Sequence, residues 1–217
     1  MKLLFIGNSA THVHNIPKLL TSLVSSVGIE LEADMITGDG YELSRHIEDG
    51  GVFEKINEGY DMVFLQEHGN CIAEEKRESS LSAMRRLGEA VTKSGAELYY
   101  YVRPPYGIKN RGYDSLQQCE LFDAHFKKSQ EETGAKCVFV NRAFANAIKE
   151  TDIKLWGEDN AHASEYGAYL IAATFFATLF NKSATLLPSA TLPEIDAKIL
   201  AEIADETVFK EKAPWIN

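Results

Sequence analysis

Short apolar runs alternate with longer amphipathic runs along the chain. The short runs have the length and residue types of β-strands, and the longer runs place apolar residues at helical spacing. The pattern predicts strands at 2–6, 30–36, 61–65, 97–102 and 136–140, and helices at 17–27, 43–56, 74–94, 116–133, 142–150, 164–180 and 192–204. The alternating apolar and acidic residues of 30–36 are typical of an edge strand, whereas 61–65 is apolar throughout and is expected to be central.

Strands that alternate with helices predict an α/β fold with a parallel sheet. Right-handed crossovers then give a three-layer, doubly wound, flavodoxin-like sheet of about five strands with helices on both faces. We find no repeat or long linker, so one domain is expected over residues 1–217. In such folds the ligand lies outside the carboxyl ends of the strands, and these are the places to inspect.

Composition narrows the classes of partner. The formal net charge of −10 disfavours binding to nucleic acid and to anionic membranes. No apolar run reaches the length of a membrane span, and the first residues lack the features of a signal peptide, so a cytoplasmic location is expected. The three cysteines are widely spaced, which indicates reduced, mostly buried thiols. We expect a small-molecule partner and no cofactor, and the oligomeric state is not predicted.

Two local patterns could carry chemistry. Ser9 follows the first strand and precedes the first helix, where helix amides favour developing negative charge. By itself it is more simply a turn or N-cap serine. Asp159 lies three residues before His162, so its carboxylate can reach one ring nitrogen and leave the other free to accept a proton. By itself this pattern is more simply a surface loop.

In combination the two patterns resemble the ends of the SGNH (GDSL-like) hydrolases. Residues 7–11, Gly-Asn-Ser-Ala-Thr, are similar to the first block of that family, in a Gly-Asn-Ser form. Residues 37–43, Thr-Gly-Asp-Gly-Tyr-Glu-Leu, are similar to its second block, and residues 159–170 resemble its last block. The blocks extend in order from residue 5 to about residue 180.

The resemblance implies a role for each matched residue. Ser9 would attack a carbonyl, His162 would accept and return the proton, and Asp159 would orient His162. The amides of Ser9 and Gly40 would donate to the oxyanion. A serine hydroxyl is a poor nucleophile near neutral pH, so the mechanism requires Ser9 and His162 to come within hydrogen-bond distance.

The third block departs from the family pattern. Where the family has Gly-x-Asn-Asp, with the Asn side chain as third oxyanion donor, this chain has Leu-Gln-Glu-His-Gly-Asn at residues 65–70. We favour Gln66 as the donor because it follows the strand most closely. His68 occupies the Asn position if the spacing is kept, and Asn70 has the expected amide further along. The alternative is that none of the three contacts the site.

Further residues lie near the same strand ends. His12 and His14 could join Asp159 and His162 in a metal site. We favour the alternative without a metal, in which His12 lines the pocket or caps the helix and His14 is solvated.

Tyr41, Arg103 and Tyr106, together with His12, are candidates for substrate binding. Arg103 would meet a carboxylate, and the tyrosines of strand 97–102 would form an aromatic wall for a sugar ring. The alternative is that these strand tyrosines pack beneath helices.

The sequence therefore predicts a serine ester hydrolase that acts through an acyl-serine intermediate. A small acyl ester, of the O-acetyl type and on a carbohydrate, is the expected substrate, by analogy with the family. Thioesterase or lysophospholipase activity is the alternative within the class. A catalytically impaired binding domain is the alternative outside it. A flavin or nucleotide binder is disfavoured, because the first loop lacks a phosphate cradle.

Overall fold

The computed structural model describes residues 1–216. Five strands form one parallel sheet, and their bounds are β1 Lys2–Asn8, β2 Glu32–Gly38, β3 Met62–Leu65, β4 Glu97–Val102 and β5 Lys136–Phe139. The helices are α1 Ser9–His12, α2 Ile16–Ser25, α3 Leu43–Asp49, α4 Gly51–Ile56, α5 Glu74–Ser94, α6 Ser115–Thr133, α7 Val140–Glu150, α8 Glu165–Phe180 and α9 Glu194–Phe209. Short 3-10 turns cover Gly69–Ile72 and Ala184–Leu186.

The strand order is β2-β1-β3-β4-β5, which is the predicted doubly wound arrangement. The predicted edge strand is at one edge and the strand predicted as central is third of five. The order reverses direction at β1, so the ends of β1 and β3 border a crevice. Ser9 follows β1 at this point, and the carboxyl ends of all five strands share its side of the sheet.

Alternate residues of each strand face opposite sides of the sheet and build two cores. Leu3, Phe5 and Phe64 pack with α2, α7, α8 and α9 on one face. Leu4 and Ile6 pack with α3, α4, α5 and α6 on the other. The three layers predicted from the sequence are therefore confirmed.

Phe175 fixes α8 against the sheet. Its ring centroid lies 5.4 Å from that of Phe5, 5.2 Å from Phe64 and 5.0 Å from Tyr101. Aromatic contacts of this kind add roughly 0.5–1.5 kcal/mol each beyond area burial. Helix α8 begins three residues after His162, so this packing holds the helix that follows the His162 loop.

The sequence missed several boundaries. Helix α1 has only four residues and was not predicted, since so short a segment has no periodicity. The predicted helix 43–56 is two helices, separated at Gly50, whose φ is +86°. No helix within residues 1–216 is long and apolar enough to cross a membrane.

Candidate active site

Ser9 lies at the turn from β1 into α1. Asn8 caps the helix, and its side-chain oxygen accepts from the amide of Ala10 at 3.1 Å. Ser9 is the first helical residue, and a first-turn amide has no partner within its own helix. The local sequence thus places a hydroxyl next to an amide that is able to donate to an anion.

Asp159 and His162 form an oriented pair in the turn between α7 and α8. Asp159 Oδ2 lies 2.6 Å from His162 Nδ1, and Asp159 Oδ1 accepts from the amides of Ala161 and His162 at 2.9 and 3.0 Å. Asn160 takes the left-handed conformation that the turn requires, with φ of 53°. The contact assigns the Nδ1 proton to the side facing Asp159 and leaves Nε2 available as a base.

These hydrogen bonds keep Asp159 ionised. The His162 side chain and the two backbone amides lower the pKa of the Asp159 carboxyl to about 2. A permanent carboxylate at Nδ1 stabilises an imidazolium that forms when Nε2 takes a proton. Half of the Asp159 side chain is exposed, so the pair lies at the surface and not in the core.

Ser9 and His162 share no hydrogen bond within residues 1–216 of this structure, contrary to the expectation from sequence. Catalytic hydrogen bonds are often long without substrate and tighten when it binds. The distance between Ser9 and His162 is therefore set by the contacts that hold the loop of each residue.

Three contacts anchor the loop that carries His162. His14 Nε2, which the sequence suggested was solvated, lies 2.6 Å from the carbonyl of Ala163 and donates to it. The carbonyl of Asn160 accepts from the amide of Gly107 at 2.8 Å, and Trp156 Nε1 donates to the carbonyl of Pro105 at 2.9 Å. The first contact joins the segment after Ser9 to the residue after His162, and the others join the loop to the end of β4.

Gly40 lies in the turn after β2 with φ of +67°, a conformation that favours glycine. Its amide donates to no group within residues 1–216 and remains available. Next to it, Asp39 Oδ1 lies 2.9 Å from His12 Nε2, so His12 links α1 to this turn. No three His, Cys, Asp or Glu side chains in the described chain are grouped so that they could hold a metal ion.

The ring of Tyr41 covers Gly38 and lies 5.0 Å from the ring of His46. The Tyr41 carbonyl accepts from Asn8 Nδ2 at 2.9 Å. Tyr41 therefore joins the first two blocks through its backbone and forms part of the wall beside Gly40.

The prediction that Gln66 is the third oxyanion donor is wrong. Gln66 is 1% exposed, its Oε1 accepts from the Asn8 amide and the Thr11 hydroxyl at 3.0 Å each, and its Nε2 donates to the Glu67 carbonyl at 2.6 Å. The carboxamide lies beneath the turn. The space it fills exists because residue 7 is glycine, since a Cβ there would be 2.6 Å from Gln66 Oε1.

His68 has the features of a neutral hydrogen-bond donor. Its Nδ1 accepts from the amide of Asn70 at 3.1 Å, so the proton of the neutral ring is on Nε2. Burial, and next the positive charge of Arg103, lower the pKa of His68 below its usual value and favour the neutral form. Asn70 supplies that amide from within the 3-10 turn.

Arg103 lies directly after β4 and is only 3% exposed. Its Nε donates to the carbonyl of Pro104 at 2.9 Å and its Nη1 to the hydroxyl of Tyr106 at 3.1 Å. Within residues 1–216 no carboxylate lies within 4.0 Å of this guanidinium. A Cβ on Gly69 would be 2.8 Å from Arg103 Nη1, so the charge lies against the third block.

The tyrosines of β4 do not form a wall for substrate. Tyr99, Tyr100 and Tyr101 are at most 5% exposed and pack beneath helices on both faces of the sheet, as the alternative interpretation predicted. Tyr106 is half-buried, and its ring lies against Gly69 while its hydroxyl accepts from Arg103.

The fold of this chain is similar to that of solved proteins, although its sequence is not close to a known family. No family model and no curated protein matches the chain. A putative SGNH hydrolase from Slackia heliotrinireducens has a TM-score of 0.65 and 22% identity, and the match covers 79% of this chain and 95% of that one. The chain has the fold of the SGNH hydrolases.

Two other solved structures extend the likeness. A DUF4886 family protein from Bacteroides uniformis has a TM-score of 0.84 and 18% identity over 98% of this chain and 96% of that one. An acetylxylan esterase from Geobacillus stearothermophilus has a TM-score of 0.63 and 18% identity over 81% and 92%. Residues 7–11 include the end of β1, residues 37–43 include the end of β2, and residues 159–164 lie between α7 and α8.

Sequence reasoning missed the buried residues that hold this edge together. His46 is 3% exposed, and its Nε2 donates to the carbonyl of Gly7 at 2.7 Å. Burial lowers the pKa of His46, so the neutral ring makes this bond. Glu67 is 1% exposed and accepts from two backbone amides. Such contacts join residues distant in sequence, and periodicity gives no signal for them.

Proposed function

We propose that the protein is a serine ester hydrolase that acts through an acyl-serine intermediate. The observation that carries the proposal is the oriented pair in which the Asp159 carboxylate lies 2.6 Å from His162 Nδ1. His14 joins this loop to the segment that carries Ser9. A hydroxyl, an oriented imidazole and an ionised carboxylate are the three groups that acyl transfer to serine requires.

The proposed reaction has two halves. His162 Nε2 takes the proton as Ser9 Oγ bonds to the carbonyl carbon, and the bond to the alcohol breaks as His162 returns that proton to it. Water then attacks the acyl-serine with the same base, which releases the acid and restores Ser9. Closure of the Ser9–His162 distance accompanies substrate binding in this mechanism.

We assign the oxyanion donors to the amides of Ser9 and Gly40 and to His68 Nε2. The Ser9 amide belongs to the first residue of α1, and the Gly40 amide lies in the turn before α3. The Gly40 amide has no hydrogen-bond partner within residues 1–216. His68 replaces Gln66 in this role, because its ring is neutral and its Nδ1 is already occupied. Asn70 instead orients His68 through its backbone amide.

A small O-acyl ester of a carbohydrate is the proposed substrate class. An acetylxylan esterase is among the similar structures, and Tyr41 and Tyr106 supply aromatic surface beside the site. Because Arg103 is a buried cation near these residues, the proposal includes esters that carry a carboxylate. A buried guanidinium without a carboxylate partner is costly, and an anionic substrate would compensate it.

The test is hydrolysis of p-nitrophenyl acetate by the parent protein, by Ser9→Ala and by His162→Ala. We expect both substitutions to abolish turnover while circular dichroism and melting temperature stay those of the parent. Mass spectrometry after treatment with a fluorophosphonate should show one adduct, on Ser9. A parent no faster than both variants would favour a binding domain with this fold over an esterase.

Arg103 is tested by a ratio of rates. We compare kcat/KM for mono-p-nitrophenyl succinate with that for p-nitrophenyl acetate in the parent and in Arg103→Lys and Arg103→Met. The ratio should fall about tenfold in Arg103→Met and less in Arg103→Lys. Arg85→Met removes an equal charge from exposed α5 and should keep the parent ratio. An unchanged ratio in both Arg103 variants would contradict a carboxylate site on the acyl side.

A further inference from the structure

Gln66 joins the third block to the first. Its Oε1 accepts from the backbone amide of Asn8 and from the hydroxyl of Thr11, both at 3.0 Å. These partners lie on either side of Ser9. One buried oxygen therefore fixes the turn that presents the nucleophile.

Glu67 joins the third block to the second. Its Oε1 accepts from the amide of His68 at 2.7 Å and from the amide of Leu43 at 3.0 Å. Leu43 is the first residue of α3, and the residue before it makes no side-chain cap. Glu67, from the loop after β3, thus supplies the cap of α3 and holds the turn that contains Gly40.

A third contact completes the connection. Asn8 Nδ2 donates to the carbonyl of Tyr41 at 2.9 Å, which joins the first block directly to the second. All three blocks are then bonded pairwise through three buried side chains, Asn8 at the end of β1 and Gln66 and Glu67 just after β3. A network in which every member is satisfied is rigid and costly to disturb.

Glu67 is maintained against a cost in stability. Burial, which outweighs the two amide bonds and the Ser80 hydroxyl, raises the pKa of Glu67 to about 7. An apolar residue of similar volume would avoid this cost, so packing does not explain a carboxyl at this position. Its length and its acceptor oxygen explain it, since one atom must reach two amides on different segments.

We infer that Gln66 and Glu67 are positioning residues, whose side chains hold the Ser9, Gly40 and His68 donors in register around one oxyanion. The inference rests on the proposed esterase function. Misplacement of a donor by about 1 Å weakens transition-state stabilisation and can cost about 100-fold in rate. Neither side chain touches the substrate in this arrangement.

Two substitutions at Glu67 separate length from charge. Glu67→Gln keeps the length and an acceptor oxygen, whereas Glu67→Asp keeps the charge and is shorter by one bond of about 1.5 Å. We expect kcat for p-nitrophenyl acetate to stay within about tenfold of the parent in Glu67→Gln and to fall about 100-fold in Glu67→Asp. KM should change little, because the oxyanion forms only in the transition state.

A buried control distinguishes positioning from general stability. Asn146 is 2% exposed and joins α7 to Thr207 and Lys212 through its Nδ2. Asn146→Leu should lower the melting temperature and leave kcat unchanged.

The inference is overturned if Glu67→Asp is as active as the parent, or if Glu67→Gln loses more activity than Glu67→Asp. Ser9→Ala is measured alongside, because a Ser9→Ala protein as active as the parent would refute the esterase function itself. Loss of activity in Ser9→Ala with no loss in Glu67→Asp would refute only the positioning role.

Discussion

Gly167 tests whether the position of the His162 loop sets the rate. An ideal Cβ on Gly167 would lie 2.2 Å from the carbonyl oxygen of Leu155 and 3.1 Å from Ala163 Cβ. Ordinary contact begins near 3.4 Å, so Gly167→Ala requires backbone atoms to separate by about 1 Å. The same Leu155 oxygen accepts from the amide of Ser164 at 2.9 Å, and this bond closes the loop that carries His162.

The displacement has two expected consequences. Overpacking of backbone against Cβ should lower the free energy of unfolding by about 1–3 kcal/mol. Movement of the imidazole by about 1 Å should lower kcat about 100-fold, which corresponds to roughly 2.7 kcal/mol of transition-state stabilisation. KM should rise less, because Gly167 is two residues inside α8 and lies behind the loop.

The assay pairs urea unfolding with p-nitrophenyl acetate kinetics on the same samples. Gly51→Ala is the matched control, since a Cβ there meets no atom within 4 Å and the residue has no positive φ. We expect Gly51→Ala to match the parent in both measurements. If Gly167→Ala keeps kcat within threefold while Gly51→Ala behaves as the parent, loop position does not control the rate and the reasoning fails.

Four other predictions concern different contacts. Asp159→Asn should lower kcat about 1,000- to 10,000-fold without a matching change in stability, because the neutral amide fixes the wrong tautomer of its partner; equal rates would remove the acid–base role. Gly40→Ala should cost about 1 kcal/mol of stability through its φ of +67° and lower kcat more than KM, as steady-state kinetics will show. Arg142→Met breaks the buried 2.6 Å pair with Asp123 and should cost about 3 kcal/mol in urea unfolding with kcat unchanged. Glu67→Gln should be more stable than the parent at pH 8 by up to about 3 kcal/mol and equal to it at pH 4, as urea unfolding at the two pH values will show.

The sign of the Glu67 effect follows from its raised pKa. The folded protein binds the Glu67 proton up to about pH 7, whereas the unfolded chain releases it near the ordinary glutamate pKa of 4.5. Between these values the folded state holds more protons, so the free energy of unfolding falls as the pH rises. Above about pH 7 the full cost of the buried carboxylate is present, and only the parent carries it.

Much of the fold could be predicted because its determinants are local. The apolar run 61–65 is continuous since β3 is covered on both faces, and 30–36 alternates since β2 is an edge strand. The helix 74–94 was predicted with its observed bounds, because Gly95 ends it with φ of +85°. Helix α1 was missed because a helix of four residues is too short to show a helical repeat of apolar positions.

The candidate site could be predicted only where residues of complementary chemistry are also close together in the sequence. Asp159 and His162 are three residues apart, so a single turn brings them together and the sequence sufficed. Gln66 failed because its side chain points into the cavity left by Gly7, 59 positions earlier in the chain. The direction of that side chain depends on strand pairing, and no local pattern encodes it.

The carboxyl groups of Asp159 and Glu67 differ in protonation because their surroundings differ. Asp159 is half exposed and accepts three hydrogen bonds, so its pKa falls to about 2 and it remains an anion beside the imidazole. Glu67 is buried, so its pKa rises to about 7 although it also accepts amide bonds. A change from pH 8 to pH 4 therefore neutralises Glu67 and leaves Asp159 charged. Loss of activity over that interval cannot arise from protonation of Asp159, and comparison of the parent with Glu67→Gln measures the contribution of Glu67.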